Sequence, residues 1–392
     1  MSAVRQELQA VDGYVPETSQ EICAELGEVS LARLEALTQE WSRCVSSGEC
    51  AEPFLQPYWF SAFAHSFGRS APCVLGVARR GSELIGVLPL ARQSSFFGGL
   101  PATTLQSLSG AHSCRFDLCF ADGEKEVAAR EIWRVLRADS SWDVIEALNV
   151  PEHGGFESIM RCAAKDGCLI AKWRTFLTPY LSISSVDPFR DCPAQQAGNR
   201  NRLKNYFKKL EKRGVVRIVS TAEFCSDKLE SFIALEASGW KGRDGGAIGC
   251  KPVVGEFYRR ALKGAADAGH LRIQAITVDD KPVAMELGLL MDRCYYSPKF
   301  AYDESFSKCS PGNLMNRESI RLAAESGAER YDFLGPRARH KLLWTDKVRR
   351  HNHCYIIRPS LVGQLRHAIV SKIAPQLRRL KHCAYGDPQA LR

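Results

Sequence analysis

A turn and helix in the last third of the chain have the residue types of an anion-binding site. Residues 294–303 have the pattern of a strand, a loop then ends in Ser310-Pro311-Gly312-Asn313, a helix follows, and residues 331–335 form a second predicted strand. The first turn of a helix offers free backbone N–H groups and the positive end of the helix dipole, where a phosphate or carboxylate binds. Such a strand–turn–helix–strand unit commonly holds the pyrophosphate of coenzyme A. We therefore expect Ser310, Gly312 and Asn313 to bind a donor phosphate, although the same residues also suit an ordinary helix start with Pro311 at its first position.

Direct transfer of an acyl group from a thioester requires a base for the incoming amine or hydroxyl, a hydrogen-bond donor for the oxyanion, and an acid for the leaving thiolate. It requires no covalent nucleophile, and the sequence has no G-x-S-x-G motif. Glu236, near the end of a predicted helix with an apolar face, is the first candidate base. Asp332, within an apolar strand, is the second candidate, and Tyr302 is the candidate acid. Each also has a plain structural interpretation: an exposed carboxylate, a partner of a nearby Arg or Lys, or a core tyrosine.

Other polar and aromatic residues are candidates for contact with the donor phosphates or with the acceptor. A lysine ammonium pairs with phosphate, and Lys299 is predicted to bind the donor in this way. A tryptophan in a glycine-rich segment can form a wall against a sugar or an acyl chain. Two polar residues of the first half are predicted to line an acceptor cleft between the halves of the chain. The candidates for acceptor binding are Trp240, Lys241, Glu286, His112 and Asp117.

Composition places the chain among globular proteins of more than one domain. It has 392 residues, of which 45% are hydrophobic and 25% charged. No apolar run is long enough to span a bilayer and the first residues lack the apolar core of a secretory signal, so we expect a cytoplasmic protein. The 15 cysteines include no C-x-x-C pair and are expected to be free core thiols. His351 and His353 are only two imidazoles without a third ligand, so no metal site is predicted.

The net charge of +9 is concentrated in two segments. Seven basic residues and one acid lie between positions 200 and 213, and the tail after residue 359 is also basic. A basic surface favours anionic partners, which include nucleotide cofactors, acidic sugars, lipid headgroups and nucleic acid. Charge alone does not distinguish among these.

The order of predicted elements divides the chain into four parts. Residues 1–29 carry no strong pattern and are predicted to form a loosely ordered arm. Residues 30–180 and 181–358 each read as an α/β unit, with a mixed, mostly antiparallel sheet flanked by helices, and the donor site lies in the second unit. Residues 354–358 are predicted to form an edge strand. Residues 359–392 are predicted to form a basic C-terminal helix and tail.

Several short motifs, in this order, resemble GNAT acyltransferases of the CelD-like (cellulose-biosynthesis) or FemAB-like type, over roughly residues 30–350. In the first half the motifs are Pro53-Phe54, Trp59-Phe60 and Gly86-Val87-Leu88-Pro89-Leu90. In the second half they are Glu236-Ala237-Ser238-Gly239-Trp240-Lys241-Gly242, Lys299-Phe300-Ala301-Tyr302-Asp303, Ser310-Pro311-Gly312, Asp332-Phe333-Leu334-Gly335, and His340-Lys341 followed by Trp344. The resemblance implies two tandem GNAT-like units, with acetyl-CoA or a longer acyl-CoA bound by the second. It further implies transfer to an amine or hydroxyl, often in envelope or exopolysaccharide synthesis. One departure is that Ser310-Pro311-Gly312 stands where GNAT proteins have a Gln/Arg-x-x-Gly-x-Gly loop.

Two other functions remain open at the level of sequence. A FemAB-like enzyme takes an aminoacyl group from charged tRNA, and the basic segment 199–213 would then meet RNA phosphates. A degenerate GNAT pair would act as a scaffold without catalysis. The acceptor is expected to be a small molecule or saccharide. The C-terminal helix either docks on the protein or lies on an anionic membrane.

Overall fold

The strands of the protein form one continuous sheet that runs through both halves of the chain. A computed structural model describes residues 21–46, 48–68, 71–110, 112–184, 187–189, 192 and 197–373. The strands are β1 Ile22–Val29, β2 Cys73–Arg80, β3 Glu83–Phe97, β4 Leu100–Ser107, β5 Cys119–Phe120, β6 Val144–Pro151, β7 Leu169–Ser182, β8 Val216–Thr221, β9 Leu271–Val278, β10 Lys281–Met291, β11 Cys294–Tyr302, β12 Arg330–Asp332 and β13 Val348–Ile357. The helices are α1 Leu31–Ala36, α2 Thr38–Cys44, α3 Pro57–Phe67, α4 Lys125–Ala138, α5 Gly155–Lys165, α6 Ala197–Glu211, α7 Ser226–Ser238, α8 Trp240–Arg243, α9 Pro252–Asp267, α10 Pro311–Glu325, α11 Arg339–Leu342 and α12 Leu361–Ala368.

The order across the sheet is β1-β2-β3-β4-β6-β13-β7-β12-β11-β10-β9-β8, and β5 pairs with β3. Among the described residues only β4 with β6 and β11 with β12 pair in parallel. Each of these two pairs is joined by a helical crossover, through α4 and α10 respectively, because parallel neighbours cannot be linked by a tight turn. This repetition confirms the predicted fold class, a mixed, mostly antiparallel sheet flanked by helices in two similar units.

Strand β13 corrects the prediction of an edge strand near residue 354. It lies between β6 and β7 and pairs with both, so the last strand of the chain completes the sheet of the first half. The near-continuous apolar run Cys354–Ile357 is fully buried, as expected of a strand with neighbours on both sides.

The predicted arm at residues 1–29 is wrong over residues 22–29, which form β1 and pair with β2 along their whole length. The alternating burial of β1 shows that one face of this strand packs on the core while the other faces water. The rest of that arm, residues 1–20, and the end of the basic tail, residues 374–392, lie outside the described residues.

The two halves share a core beneath α3. Trp59 of α3 packs edge-on against Phe257 of α9 at 5.3 Å, and Phe54 packs against Tyr296 of β11 at 5.4 Å. Helix α9 can come this close because Gly264 has no side chain. A Cβ at this position would lie 2.6 Å from the Cβ of Tyr58. This packing holds the start of β11 and the helix α9 against the first half.

Candidate functional site

A cavity of about 300 Å³ opens between the end of α7, the end of β11 and the start of α10. It exists because β11 pairs with β12 only over Cys294–Tyr296, after which β12 ends, while β11 stays paired with β10 as far as Tyr302. The edge of β11 that β12 leaves open forms one wall of the cavity. Seven of the predicted site residues line it: Glu236, Trp240, Lys241, Tyr302, Ser310, Gly312 and Asn313.

The start of α10 offers fewer free donors than the sequence predicted. Pro311 has no N–H, the Ser310 N–H donates to the Ser307 carbonyl (2.9 Å), and the Asn313 N–H donates to the Ser310 carbonyl (3.1 Å). Among the described residues, Gly312 is the one residue of positions 310–313 whose N–H is present and has no partner. Ser310 is left-handed (φ 50°), and its hydroxyl accepts a hydrogen bond from Asn313 Nδ2 at 2.9 Å. An anion here would meet one backbone N–H and two polar side chains.

Glu236 is almost wholly buried, with 2% of its surface exposed. Its Oε1 accepts a hydrogen bond from Lys241 Nζ at 3.0 Å, and its Oε2 accepts one from the Ile248 N–H at 2.8 Å. Lys299 Nζ lies 3.8 Å from Oε1. A carboxylate offers about four lone-pair sites, so each oxygen keeps capacity to accept a further proton. The carboxylate is therefore able to accept a hydrogen bond from a group that enters the cavity.

The two lysines and the tryptophan surround this carboxylate in different ways. Lys241 Nζ also donates to the Phe300 carbonyl at 2.8 Å, which ties α8 to β11. Lys299 lies deeper, and burial lowers its pKa. Trp240 is 51% exposed at the rim, and its backbone N–H donates to Glu304 Oε1 at 2.8 Å. The ring of Trp240 is thus free to contact a ligand at the mouth of the cavity.

His112 stands behind Lys299 and does not line the cavity. Its ring stacks on Phe67 (6.1 Å between centroids), and its Nδ1 lies 3.5 Å from the Tyr258 hydroxyl. Lys299 Nζ lies over the ring of the same tyrosine, 5.4 Å from its centre. Burial, and then the charge of Lys299, lower the pKa of His112 to about 4. His112 is therefore a neutral packing residue at physiological pH.

Asp332 lies apart from the cavity lining and forms a buried ion pair with Arg115 of the first half. Arg115 Nη1 also donates to Glu52 Oε1 at 2.6 Å, and the Leu334 N–H donates to Asp332 Oδ1 at 2.9 Å. Both described partners of Asp332, the Arg115 guanidinium and the Leu334 N–H, are structural. These contacts fit the interpretation of Asp332 as the ion-pair partner of an arginine better than the role of base. Arg115 had not been singled out in the sequence, because nothing near it in the chain signals a partner 217 positions away.

Glu286 is buried under α10 and is not brought to the cavity. The hydroxyls of Tyr295 and Tyr331 each donate to it at 2.9 Å, and Ser297 donates as well. Burial raises its pKa. These contacts make Glu286 the centre of a closed hydrogen-bond network between β10, β11 and β12.

Asp117 lies in a separate cleft of about 840 Å³ between the two halves. Its carboxylate accepts hydrogen bonds from the N–H groups of Leu118 (2.9 Å), Gly155 (3.0 Å) and Phe156 (2.6 Å), and so caps α5. Arg115 and Arg349 line the same cleft, and both contact Glu52. Asp117 thus lines a cleft between the halves and His112 does not, while the predicted role of Asp117 in binding an acceptor stays a prediction.

Burial raises the pKa of Asp117 to about 7, against backbone donors that lower it. The folded protein therefore holds a proton that the unfolded chain, with an ordinary carboxyl pKa near 3.8, releases. Tighter proton binding by the Asp117 carboxyl in the folded state stabilises the protein. This stabilisation is fully present below pH about 4 and is lost as the pH rises to about 7. We expect Asp117→Asn to flatten the fall in unfolding free energy across this window, measured by denaturant unfolding of both proteins at several pH values. Parallel profiles for the two proteins would contradict the assignment.

Several cavity residues were not among the predicted site residues. His340 stands on α11, and Asn316 follows Asn313 by one helical turn of α10. His340 had been noted only as part of a motif, together with Lys341, whose pKa burial lowers to about 8. Lys341 Nζ donates to the carbonyl of Pro336 at 3.1 Å. The remaining unpredicted lining residues are Leu235, Gly239, Phe300, Ala301, Glu304, Ser307 and Pro311.

In the described parts of the chain, no three His, Cys, Asp or Glu side chains come together as a set that could hold a metal ion. Of the helices the structure describes, none has the length and apolar character needed to cross a bilayer. All cysteines within the described ranges are free thiols.

Comparison with known proteins gives a family match in the second half of the chain. Residues 197–342 match the family model of the acetyltransferase (GNAT) domain, and this range contains every residue that lines the 300 Å³ cavity. No curated protein sequence matches the chain. The fold is similar to that of FemX (TM-score 0.56, 11% identity, 88% of this chain and 100% of FemX covered). It is also similar to that of L-PGS from Bacillus licheniformis (TM-score 0.52, 10% identity, 88% and 98% covered).

At such low identities the two structures establish a shared fold and no more. Residues 197–342 are thus similar to the acetyltransferase (GNAT) domain, and the chain as a whole shares its fold with FemX and L-PGS.

Proposed function

We propose that the protein is an acyl-CoA-dependent N- or O-acyltransferase that transfers the acyl group directly, without a covalent intermediate. The observation that carries the proposal is the position of the buried Glu236 carboxylate in the same cavity as the start of α10, beside the edge of β11 that β12 leaves open. This arrangement brings a base and an anion-binding helix start to one thioester-sized space.

The chain's own residues take the following roles. Glu236 accepts the proton of the incoming amine or hydroxyl, and Tyr302 donates a proton to the leaving thiolate. The Gly312 N–H and the side chains of Ser310 and Asn313 bind the donor, with Lys299 and Lys241 supplying positive charge.

The acceptor is a small molecule or saccharide, in the manner of an envelope or exopolysaccharide precursor. Trp240 provides a wall at the cavity mouth. The protein acts in the cytoplasm, consistent with its free thiols. Peripheral contact with a membrane would use α12, where Leu361, Val362 and Leu365 are exposed beside the basic tail.

Thermal unfolding with and without acetyl-CoA and longer acyl-CoAs tests the proposal. A ligand at about 100 times its dissociation constant stabilises the folded state by roughly 2.7 kcal/mol, which a melting curve detects readily. A shift supports acyl-CoA as the donor, and its trend with chain length identifies the acyl group. No shift with any acyl-CoA would favour the alternative donor, an aminoacyl-tRNA, whose binding would depend steeply on salt.

Gly312→Asp should abolish donor binding, because a carboxylate at the first turn of α10 repels the phosphates from the free N–H. The matched control is Gly312→Asn, which has the same size and no charge. Size affects both variants alike, since a Cβ at this position would lie 3.1 Å from Phe300 Cε2. Calorimetric titration with acetyl-CoA should show binding by the asparagine variant alone, and equal affinities in the two variants would remove the α10 start from the donor site.

A further inference from the structure

A stripe of cations on helix α6 and on the turn that follows it lies next to the cavity. Arg202 and Lys209 are seven positions apart on one flank of α6, and Arg213 lies in the turn two residues beyond Glu211, the last residue of the helix. Arg202 lines a narrow crevice with Tyr206 and Asn313, and Lys209 Nζ lies 5.8 Å from the centre of the Tyr206 ring. The Arg213 guanidinium lies 4.6 Å from the centre of the ring of Phe306.

The opposite flank of α6 has the same charge but faces away from the site. Its basic residues are Arg200, Lys204 and Lys208, all exposed. The helix packs on the second half through Leu203, Tyr206, Phe207 and Leu210, which lie between the two flanks. The helix therefore contains its own matched control.

The cations of α6 have no acidic partners. Within the described part of the chain, none of the basic side chains between residues 200 and 213 forms an ion pair, and Glu211 is the one acid in the segment. A cluster of unpaired cations raises the electrostatic potential locally and attracts a polyanion. By contrast, the basic residues of the 840 Å³ cleft are mostly paired, as Lys125 is with Glu49 at 2.6 Å and Arg349 with Glu52 at 3.4 Å.

The size of the cavity requires part of the donor to lie outside it. About 300 Å³ is at the lower limit for small-molecule sites and encloses an acyl group and part of a pantetheine arm, but not a whole nucleotide thioester. The rim next to α6 is formed by Asn313, which lines both the cavity and the Arg202 crevice, and by Ser307, which follows Phe306. Phosphates that leave the cavity over this rim meet the stripe.

We propose that Arg202, Lys209 and Arg213 bind the nucleotide phosphates of the donor while its acyl end occupies the cavity. This inference rests on the proposed function, since it names the second half of the donor site. The shared chemistry is a nucleotide phosphate, and it has two sources: the phosphates of coenzyme A, or those at the 3′ end of a charged tRNA.

The test compares two triple charge reversals on the same helix. Arg202→Glu/Lys209→Glu/Arg213→Glu alters the stripe, and Arg200→Glu/Lys204→Glu/Lys208→Glu changes the net charge by the same amount on the opposite flank. Each protein is titrated with acetyl-CoA, with S-acetylpantetheine, which lacks the nucleotide, and with an RNA hairpin ending in 3′-CCA. Circular dichroism checks folding, and the corresponding glutamine variants replace any reversal that does not fold.

We expect the stripe variant to lose about tenfold or more in affinity for acetyl-CoA, and the opposite-flank variant to lose about twofold or less. The reason is that salt screens distant charges from the phosphates but weakens close charge–phosphate contacts much less. Affinity for S-acetylpantetheine should be equal in all three proteins. The wild-type protein could instead bind the hairpin and not acetyl-CoA. If only the stripe variant then loses affinity for the hairpin, RNA is identified as the source of the phosphates.

Equal losses in the two triple variants would overturn the inference while leaving acyl-CoA binding intact. Binding of neither donor by the wild-type protein would instead refute the proposed function on which the inference rests.

Discussion

Glu236→Gln is expected to reduce turnover by about 10²-fold or more while the affinity for the donor stays close to that of the wild-type protein. The amide has the shape of the carboxylate but cannot take the proton of the incoming nucleophile. Its one oxygen can accept the hydrogen bond of either Lys241 Nζ or the Ile248 N–H, and its NH2 group then faces the other donor. The measurement is release of free CoA thiol in the presence of amine and hydroxyl acceptors, with donor affinity determined separately by calorimetry.

Glu304→Gln provides the control for this prediction. Glu304 lines the same cavity, but its carboxylate contacts Arg243 (2.8 Å) and the Trp240 N–H at the rim and not the buried lysines. The same chemical change there should leave kcat nearly unchanged. Full activity of Glu236→Gln would exclude Glu236 as the base, and a parallel loss of donor binding and kcat would indicate that Glu236 only positions Lys241 and Lys299.

Arg115→Met is expected to lower the free energy of unfolding by about 3–5 kcal/mol, because it leaves Asp332 as a buried carboxylate without its cation and leaves Glu52 with Arg349 alone. Asp332 has no exposed surface and Arg115 only 2%, so water cannot replace the lost contact. The pair joins the first half of the chain to the second, and its loss should also weaken the contact between them. Denaturant unfolding followed by tryptophan fluorescence measures the change.

The exposed ion pair between Arg33 and Glu25 supplies the matched comparison. Their side chains are 64% and 65% exposed and lie 3.6 Å apart, so Arg33→Met should cost less than about 1 kcal/mol. The double variant Arg115→Met/Asp332→Asn should be more stable than Arg115→Met alone, because it removes the unpaired charge of Asp332. Equal stability of Arg115→Met and Arg33→Met would show that the buried pair contributes nothing beyond a surface pair.

Local patterns in the sequence were sufficient for the parts of the protein that depend on near neighbours. The residue pattern of 294–303 predicted β11, and Ser310-Pro311-Gly312 predicted the start of α10, because a proline at the first helical position is compatible with the free N–H groups there. Glu236, Trp240 and Lys241 are close in sequence, at the end of α7 and in α8, and they reach the cavity together.

Only the tertiary structure decided which polar residues pair and where the last strand lies. Asp332 looked like a site residue until Arg115, distant in sequence, was found beside it, and Glu286 until two tyrosines closed around it. The N–H groups of Ser310 and Asn313 donate to backbone carbonyls and are therefore not available to an anion. The positions of those carbonyls depend on the left-handed turn at Ser310. Strand β13 joined the sheet of the first half because a position with neighbours on both sides satisfies its N–H and C=O groups and buries its apolar run. Periodicity records which face of a segment is apolar, whereas burial of a charge or a strand depends on partners that chain folding brings from far away.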